Sequence, residues 1–205
     1  MAGYKDIPDF EGFKGKGIHV VHLEEPKVAF KEQIDEPHNN PFPTPSGKIE
    51  IYSQRMADLN HPELPPIPKY IETPESRNDP LAQQYPVQII SSHPRLRVHS
   101  MFNNIPWLKG IELQALWINP IDAQARGIRN GDHVRVFNDR GVMIIPCWVT
   151  ERIMTGVVHL AEGGPFLPDE NGIDRGGCAN VFTKSGHTPG GAFPANTALV
   201  QVEKA

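Results

Sequence analysis

From residue 84 onward the chain is cut into short apolar runs, PVQIISS, LWIN, HVRVFN, GVMIIPCWVT, GVVHLAE and TALVQVE, and this punctuation limits its possible folds more than any other feature. Valine, isoleucine and aromatic residues suit a pleated surface, and runs of this length between turn residues predict at least six short strands. Asn130-Gly131-Asp132 and Asn138-Asp139-Arg140-Gly141 flank the run His133 to Phe137, which predicts a hairpin-rich meander. The clearest helix runs from Pro120 to Ala125, with Asn119 as cap, Pro120 at the first position and Gly127 as terminator. It is too short to form a layer, so it should plug or cover a barrel. With 18 glycines and 21 prolines the chain favours turns and short strands over long helices, and the expected class is mainly β with short helices.

The first 83 residues have a different texture. Residues 1–57 read as an adaptor or extended N-terminal arm, in which GFKGKGIHVVHL suits an extended pair and Lys48-Ile49-Glu50-Ile51-Tyr52 alternates like a strand that needs a neighbour. Residues 58–83 include HPELPPIPKYIETPESRNDP, whose six prolines and many charges predict a stiff, exposed connector. The compact domain is therefore expected over residues 84–205.

A formal charge of −4 and a pI near 6.1 give no general attraction to nucleic acid or anionic lipid, so any anion site must be local. No stretch approaches the roughly 20 apolar residues of a membrane helix, and MAGYKDIPDF lacks a signal peptide's apolar core. A soluble chain without a targeting signal is expected. Cys147 and Cys178 stand apart from each other, which indicates neither an iron–sulfur cluster nor a zinc clamp.

Between Asp79 and Glu112 there is no acidic residue, while Arg95, Arg97 and Lys109 lie inside. If SSHPRLRVHS is extended, His93, Arg95, Arg97 and His99 share one edge and Leu96 and Val98 the other. Guanidinium forks with imidazoles nearby suit phosphate, although a merely solvated or ion-paired strand face accounts for the pattern equally well. In GGCANVFTKSGHTPGG the amide of Asn180 can read a heterocycle edge, and glycines let backbone approach a flat ligand; an ordinary surface loop is the simpler alternative. None of the nine histidines lies in an HExxH or His-x-His pattern with a nearby acid, and no phosphate loop, nucleophile elbow or dinucleotide fingerprint is present. No catalytic residue and no metal ligand is assigned.

Four strings in order, TPSGKIEIYS, HPRLRVHSMFNNIPWL, WINPIDAQARGIRNGDHVRVFNDRG and GGCANVFT, resemble the C-terminal region of molybdopterin-containing oxidoreductases, with the likeness running from about Pro41 to the end. The HPxxRxHS pattern with FNNIPW and GGCAN narrows the resemblance to the dimethyl sulfoxide reductase type. This resemblance implies a double-psi β-barrel that closes over bis(molybdopterin guanine dinucleotide), held mostly by preceding domains. It places His93, Pro94, Arg97, His99 and Ser100 near the dinucleotides and Asn180, with Val181, Phe182 and Thr183, near a pterin. Phe182 replaces a usual leucine, a swap expected to be tolerated, and Met101 stands where relatives often carry glutamine. The family's molybdenum ligand and cluster cysteines belong to earlier domains, so the isolated chain should be inactive and carry neither molybdenum nor iron.

The resemblance further implies a parent enzyme that takes oxygen from a sulfoxide or N-oxide. Its partners would be the preceding domains, an iron–sulfur electron-transfer subunit and a membrane anchor subunit, on the periplasmic side of the inner membrane. Two alternatives stay open: a non-enzymatic double-psi barrel that binds peptide or protein in an apolar groove, or the same domain serving a molybdoenzyme with another substrate. The site expectation is that His93, Arg97, His99 and Ser100 share one concave, positive face with Asn180.

Overall fold

The computed structural model describes residues 7–23, 25–194 and 196–205, so the start of the adaptor and its Glu24 lie outside the described residues. The chain divides into two units, one of Met1–Arg55 with Pro66–Pro68 and one of Met56–Pro65 with Lys69–Ala205.

In the second unit all six apolar runs become strands: β1 (Val87–Ile90), β2 (Leu116–Ile118), β3 (His133–Phe137), β4 (Val142–Val149), β5 (Val157–His159) and β6 (Ala198–Lys204). They close into a barrel in the order β1-β5-β2-β4-β3-β6, so the expected mainly β barrel is what forms. Two pairs are parallel, β1 with β5 and β2 with β4, and the rest antiparallel, which is compatible with a double-psi arrangement. Alternate residues face inward, as a period of two demands: Val87 and Ile89, Leu116 and Ile118, Val134 and Val136, and Met143, Ile145 and Cys147 are all buried. Closure leaves no unpaired sheet edge, which a small barrel of short strands would otherwise have to cover.

The expected helix also forms. In α5 (Pro120–Ala125) the Asn119 side chain accepts from the Ile121 N–H at 3.0 Å, Gly127 beyond the end has φ +64°, and Ala123 is buried in the barrel core. A further helix, α4 (Pro106–Ile111), starts at a proline in the string taken only as a motif.

The first 83 residues depart from expectation. GFKGKG does not begin an extended pair, because Asp9 accepts the Gly12 N–H at 2.9 Å and caps a helix, α1 (Phe10–Lys16). Lys48 to Tyr52 forms no strand, having no partner strand among the described residues; it is held locally instead, with Thr44 Oγ1 donating to the Lys48 carbonyl at 2.7 Å after a turn in which Phe42 donates to the Gly47 carbonyl at 2.9 Å. Short helices α2 (Lys31–Asp35) and α3 (Gln54–Leu59) complete the segment. The Pro-rich connector is not exposed throughout. Glu75 and Ser76 are buried, and Glu75 meets Arg140 through two oxygens at 2.9 and 2.6 Å while accepting the Leu199 N–H at 3.3 Å.

Candidate cofactor-binding surface

β1 and β5 run parallel, so the segments leaving them, Ser91 to Ser100 and Leu160 to Gly164, emerge side by side. Backbone and side-chain hydrogen bonds lace them together. Ser91 Oγ donates to the Leu160 carbonyl at 2.7 Å, and the Glu162 N–H donates to the Ser92 carbonyl at 3.0 Å.

Beyond Ser92 the HPRLRVHS segment is not the extended strand that the alternation suggested. It bends, with His99 at φ 51° and Phe102 at φ 70°, left-handed values that non-glycine residues rarely take. The cause is Arg97, which turns inward instead of sharing an outer edge with the histidines. Its Nη1 donates to Asn103 Oδ1 at 3.2 Å and the Gly163 carbonyl at 3.3 Å, and its Nη2 to Gln114 Oε1 at 2.7 Å and the Glu162 carbonyl at 3.3 Å. Burial pulls the guanidinium's pKa down from its ordinary value, yet an arginine keeps its charge. All four hydrogen-bond partners are neutral acceptors, while the nearby Glu112 carboxylate offsets part of the effect of burial.

Gln114 extends the lattice, donating to the carbonyls of Ala161 at 2.6 Å and Gly177 at 2.9 Å. The glycines here serve backbone-to-backbone packing. A Cβ on Gly163 would lie 2.1 Å from the His99 carbonyl oxygen, and one on Gly164 would lie 2.1 Å from that of Gly177. Gly176, in the string where close approach to a flat ligand is expected, is likewise packed against the chain's own backbone, a Cβ there falling 2.0 Å from the Pro165 carbonyl oxygen.

Asp174, wholly buried, shapes the Gly-rich loop that follows. Its two oxygens accept the N–H groups of Leu167 at 2.9 Å, Gly176 at 2.9 Å, Gly177 at 3.1 Å and Cys178 at 2.7 Å. That loop ends in a helical turn, Ala179–Val181, where Asn180 is exposed and, among the described residues, its side-chain amide has no hydrogen-bond partner. The next residue, Phe182, fills the barrel core with no exposed surface.

His93 and His99 are brought together, with ring centroids 5.0 Å apart, and both approach one carboxylate oxygen of Glu162, at 3.1 Å from His93 Nε2 and 2.8 Å from His99 Nδ1. Glu112 accepts the backbone N–H groups of Arg95 and Leu96 at 3.4 and 3.1 Å. The segment that is free of acids in sequence therefore meets two carboxylates in space. Ser100 is exposed next to His99, and Pro94 is buried. Among the predicted residues, His93, Arg97 and His99 converge on Glu162–Gly163, while Asn180 joins them only through the chain Arg97, Gln114, Gly177.

Beside Pro94 lies a cavity of about 700 Å³ lined by His93, Leu96, Trp117, Trp148 and His159 among others, a volume within the usual range for small-molecule sites. Trp117 packs edge-on to Trp148 at 4.7 Å between centroids, and His159 lies 4.7 Å from Trp117. Ser92 Oγ is 2.8 Å from His159 Nε2, the spacing of a nucleophile and its base. Yet His159 Nδ1 is buried with no partner, so no carboxylate orients the ring as a triad requires.

Sequence reasoning missed Glu162, Gln114 and Asp174. Glu162 stands just before Gly163-Gly164 and Asp174 shortly before Gly176-Gly177, and an acid ahead of paired glycines is the one local signal that marks either.

The closed six-stranded barrel is that of a known class of cofactor-binding domain. The family described as "Molydopterin dinucleotide binding domain" matches residues 87–198, more than half of the chain, and the chain belongs to that family. It is 47% identical over 210 residues to dimethyl sulfoxide reductase DmsA of Escherichia coli, covering 97% of this chain and 26% of the relative. It is 36% identical over 200 residues to the dimethyl sulfoxide/trimethylamine N-oxide reductase of Cereibacter sphaeroides, covering 89% of this chain and 24% of the relative. Among solved structures, acetylene hydratase from Pelobacter acetylenicus superposes with a TM-score of 0.68 at 19% identity over 83% of this chain and 25% of that one, a likeness of fold. The chain spans about a quarter of the length of these relatives.

Proposed function

We propose that this chain closes over bis(molybdopterin guanine dinucleotide) in the catalytic subunit of a molybdenum oxidoreductase that reduces dimethyl sulfoxide or a related S- or N-oxide. The reading is supported by the sulfoxide and N-oxide reductases it resembles over nearly its whole length. The observation that carries it is the donor set: exposed imidazoles at His93 and His99, the unpaired amide of Asn180, and the Arg97 guanidinium behind them. Ring and amide N–H groups suit pyrophosphate oxygens and a heterocycle edge, so the residues fit the cofactor. When bound, the molybdenum cofactor supplies oxygen-atom transfer and electron storage.

The chain's own residues bind and orient. His93 and His99 donate toward phosphate, with Ser100 and the backbone at Pro94 in the same ledge, and Asn180 holds a pterin edge. Arg97 positions this ledge by fastening it to Glu162 and Gly163. Alone, the chain has no reductase activity and holds no stoichiometric molybdenum or iron. Residues 1–57 act as an arm toward the preceding domains, 58–83 as a connector and 84–205 as the binding domain. The exposed Phe10, Ile18, Val20 and Ile49 of the first unit suit such burial against the rest of the subunit. An iron–sulfur electron-transfer subunit and a membrane anchor on the periplasmic side complete the proposed assembly; among the described residues no helix is long and apolar enough to cross a membrane.

The test is cofactor retention in the full-length subunit carrying this chain. His99→Ala and Asn180→Ala should each weaken retention by about 1.5–3 kcal/mol for a lost hydrogen bond to a charged group, or somewhat less at the neutral pterin edge. Guanine dinucleotide and molybdenum per subunit at wild-type level in both variants would refute the assignment.

A further inference from the structure

We propose that Gln114 is the positioning residue that couples the two stretches assigned to the cofactor, the ledge at residues 93–100 and the turn that carries Asn180, so that they hold their ligand as one unit. The inference rests on the cofactor reading above. Gln114 stands two residues before β2, and its half-buried side chain reaches three segments that lie far apart in sequence. Its Oε1 accepts from Arg97 Nη2 at 2.7 Å, and its Nε2 donates to the carbonyls of Ala161 at 2.6 Å and Gly177 at 2.9 Å. Among the described residues, no other side chain hydrogen-bonds both to Arg97 and to the Gly-rich loop.

The bonding pattern requires an amide. A guanidinium only donates and a backbone carbonyl only accepts, so the oxygen must face Arg97 and the NH₂ group must face the two carbonyls. Glutamate would offer a second acceptor where the carbonyls need a donor, and methionine would offer no bond to either side. The loop is also shaped to admit this side chain. A Cβ on Gly177, whose φ is +85°, would lie 2.4 Å from Gln114 Cγ, and one on Gly164 would lie 2.8 Å from Gln114 Nε2.

Each tie leads to an assigned contact. On one side Arg97 holds Asn103 and the carbonyls of Glu162 and Gly163, which fixes the bend that carries His99 and Ser100. On the other, Gly177 and Cys178 donate to the buried Asp174 at 3.1 and 2.7 Å, and the Cys178 carbonyl accepts the Val181 N–H at 3.1 Å, closing the turn around Asn180. A ligand that orders one stretch therefore orders the other through the Gln114 amide, and the second contact forms at a smaller ordering cost. Groups joined in one hydrogen-bond network lose their effects non-additively, whereas independent contacts lose them one by one.

Amide hydrogen exchange in the 205-residue chain is compared between wild type, Gln114→Met and Gln114→Glu. Gln114→Met should speed exchange at Met101 and Asn103, whose N–H groups bond within the bend, by about tenfold, because a charge-assisted bond is lost. At Gly177 and Cys178 it should speed exchange by about threefold, and the amides of β1 and β6 should not change. Gln114→Glu keeps the bond to Arg97 and sets an oxygen against two carbonyls, so it should loosen Gly177 and Cys178 alone. Unchanged exchange at both pairs in Gln114→Met, faster exchange spread through the strands, or equal loosening of both pairs by Gln114→Glu overturns the proposal. In the full-length subunit carrying this chain, guanine dinucleotide retention is measured for His99→Ala, Asn180→Ala and the double variant, with and without Gln114→Met. The double variant should weaken retention by at least about threefold less than the product of the single losses, and Gln114→Met should remove that shortfall. Losses that simply multiply overturn the coupling and leave the cofactor reading intact, whereas wild-type retention in both single variants removes the cofactor reading and the coupling with it.

Discussion

In the barrel, Leu116, Val134, Val136 and Val200 have no exposed surface, whereas in the first unit Phe10, Ile18, Val20 and Ile49 stand largely in solvent. The side chains are of one chemical kind, and the difference lies in what the backbone finds to pair with. β1 is hydrogen-bonded on one side to β5 and on the other to β6, so its alternation is converted into an inner and an outer face. Lys48 to Tyr52 alternates just as regularly, has no such neighbour, and stays irregular. A period of two is a request for a partner strand, and it yields burial only where the same chain supplies one.

If burial rather than composition separates the two units, truncation should cost very different amounts. Leu116→Ala should destabilise the chain by about 3–5 kcal/mol, through lost transfer energy and the cavity left in a closed core. Ile49→Ala should stay within about 0.5 kcal/mol, as exposed substitutions do. Urea unfolding is followed by tryptophan fluorescence for the second unit, where Trp107, Trp117 and Trp148 all lie, and by far-ultraviolet circular dichroism for the helices of the first. Similar costs at both positions would break the comparison.

Charged residues sharpen it. Glu75 is buried, bidentate to Arg140 and bound to the Leu199 N–H, while Glu50 is exposed and accepts the Ser46 N–H at 2.9 Å. Glu75→Ala takes the buried, bidentate carboxylate from the half-buried Arg140 guanidinium, leaving it only the exposed Asp139 at 3.3 Å among the described residues, and should cost about 3 kcal/mol. Glu50→Ala should cost no more than about 0.5 kcal/mol. The same denaturation series measures both. A small effect at Glu75 would mean that the end of the connector is energetically part of the arm.

The six strands and α5 were legible because their signals are local: alternation over a few residues, a capping Asn119, a terminating Gly127. The ledge was legible as a list of residues and illegible as a geometry. Nothing near HPRLRVHS announces that Glu162 and Gly163, more than 60 positions on, will draw Arg97 inward and bend the segment out of the extended form. Net charge misleads for the same reason, since the acid-free stretch acquires Glu112 and Glu162 only on folding. The connector failed in the opposite direction. Its prolines do describe a stiff chain, but one carboxylate that finds a guanidinium 65 residues away is enough to bury the segment's end.

The smallest expected effect concerns a histidine that belongs to the barrel rather than to the ledge. His159 ends β5, packed against Trp117, with Nε2 on Ser92 Oγ and Nδ1 buried without a partner. Burial holds its pKa below the ordinary value of 6.5, because charging the ring in this surrounding goes uncompensated. The folded state therefore binds fewer protons than the unfolded chain in the window from 6.5 down to the depressed value, and stability must rise with pH across it. The contribution is fully present above 6.5, shrinks as pH falls through the window, and levels off once both states carry the proton. His159→Phe keeps a flat ring against Trp117 and has no proton to gain, so it should flatten this part of the stability–pH profile even while losing the bond to Ser92. Thermal unfolding at steps between pH 5 and 7.5 makes the comparison, and an unchanged slope in the variant would show that another group carries the acid sensitivity of the barrel.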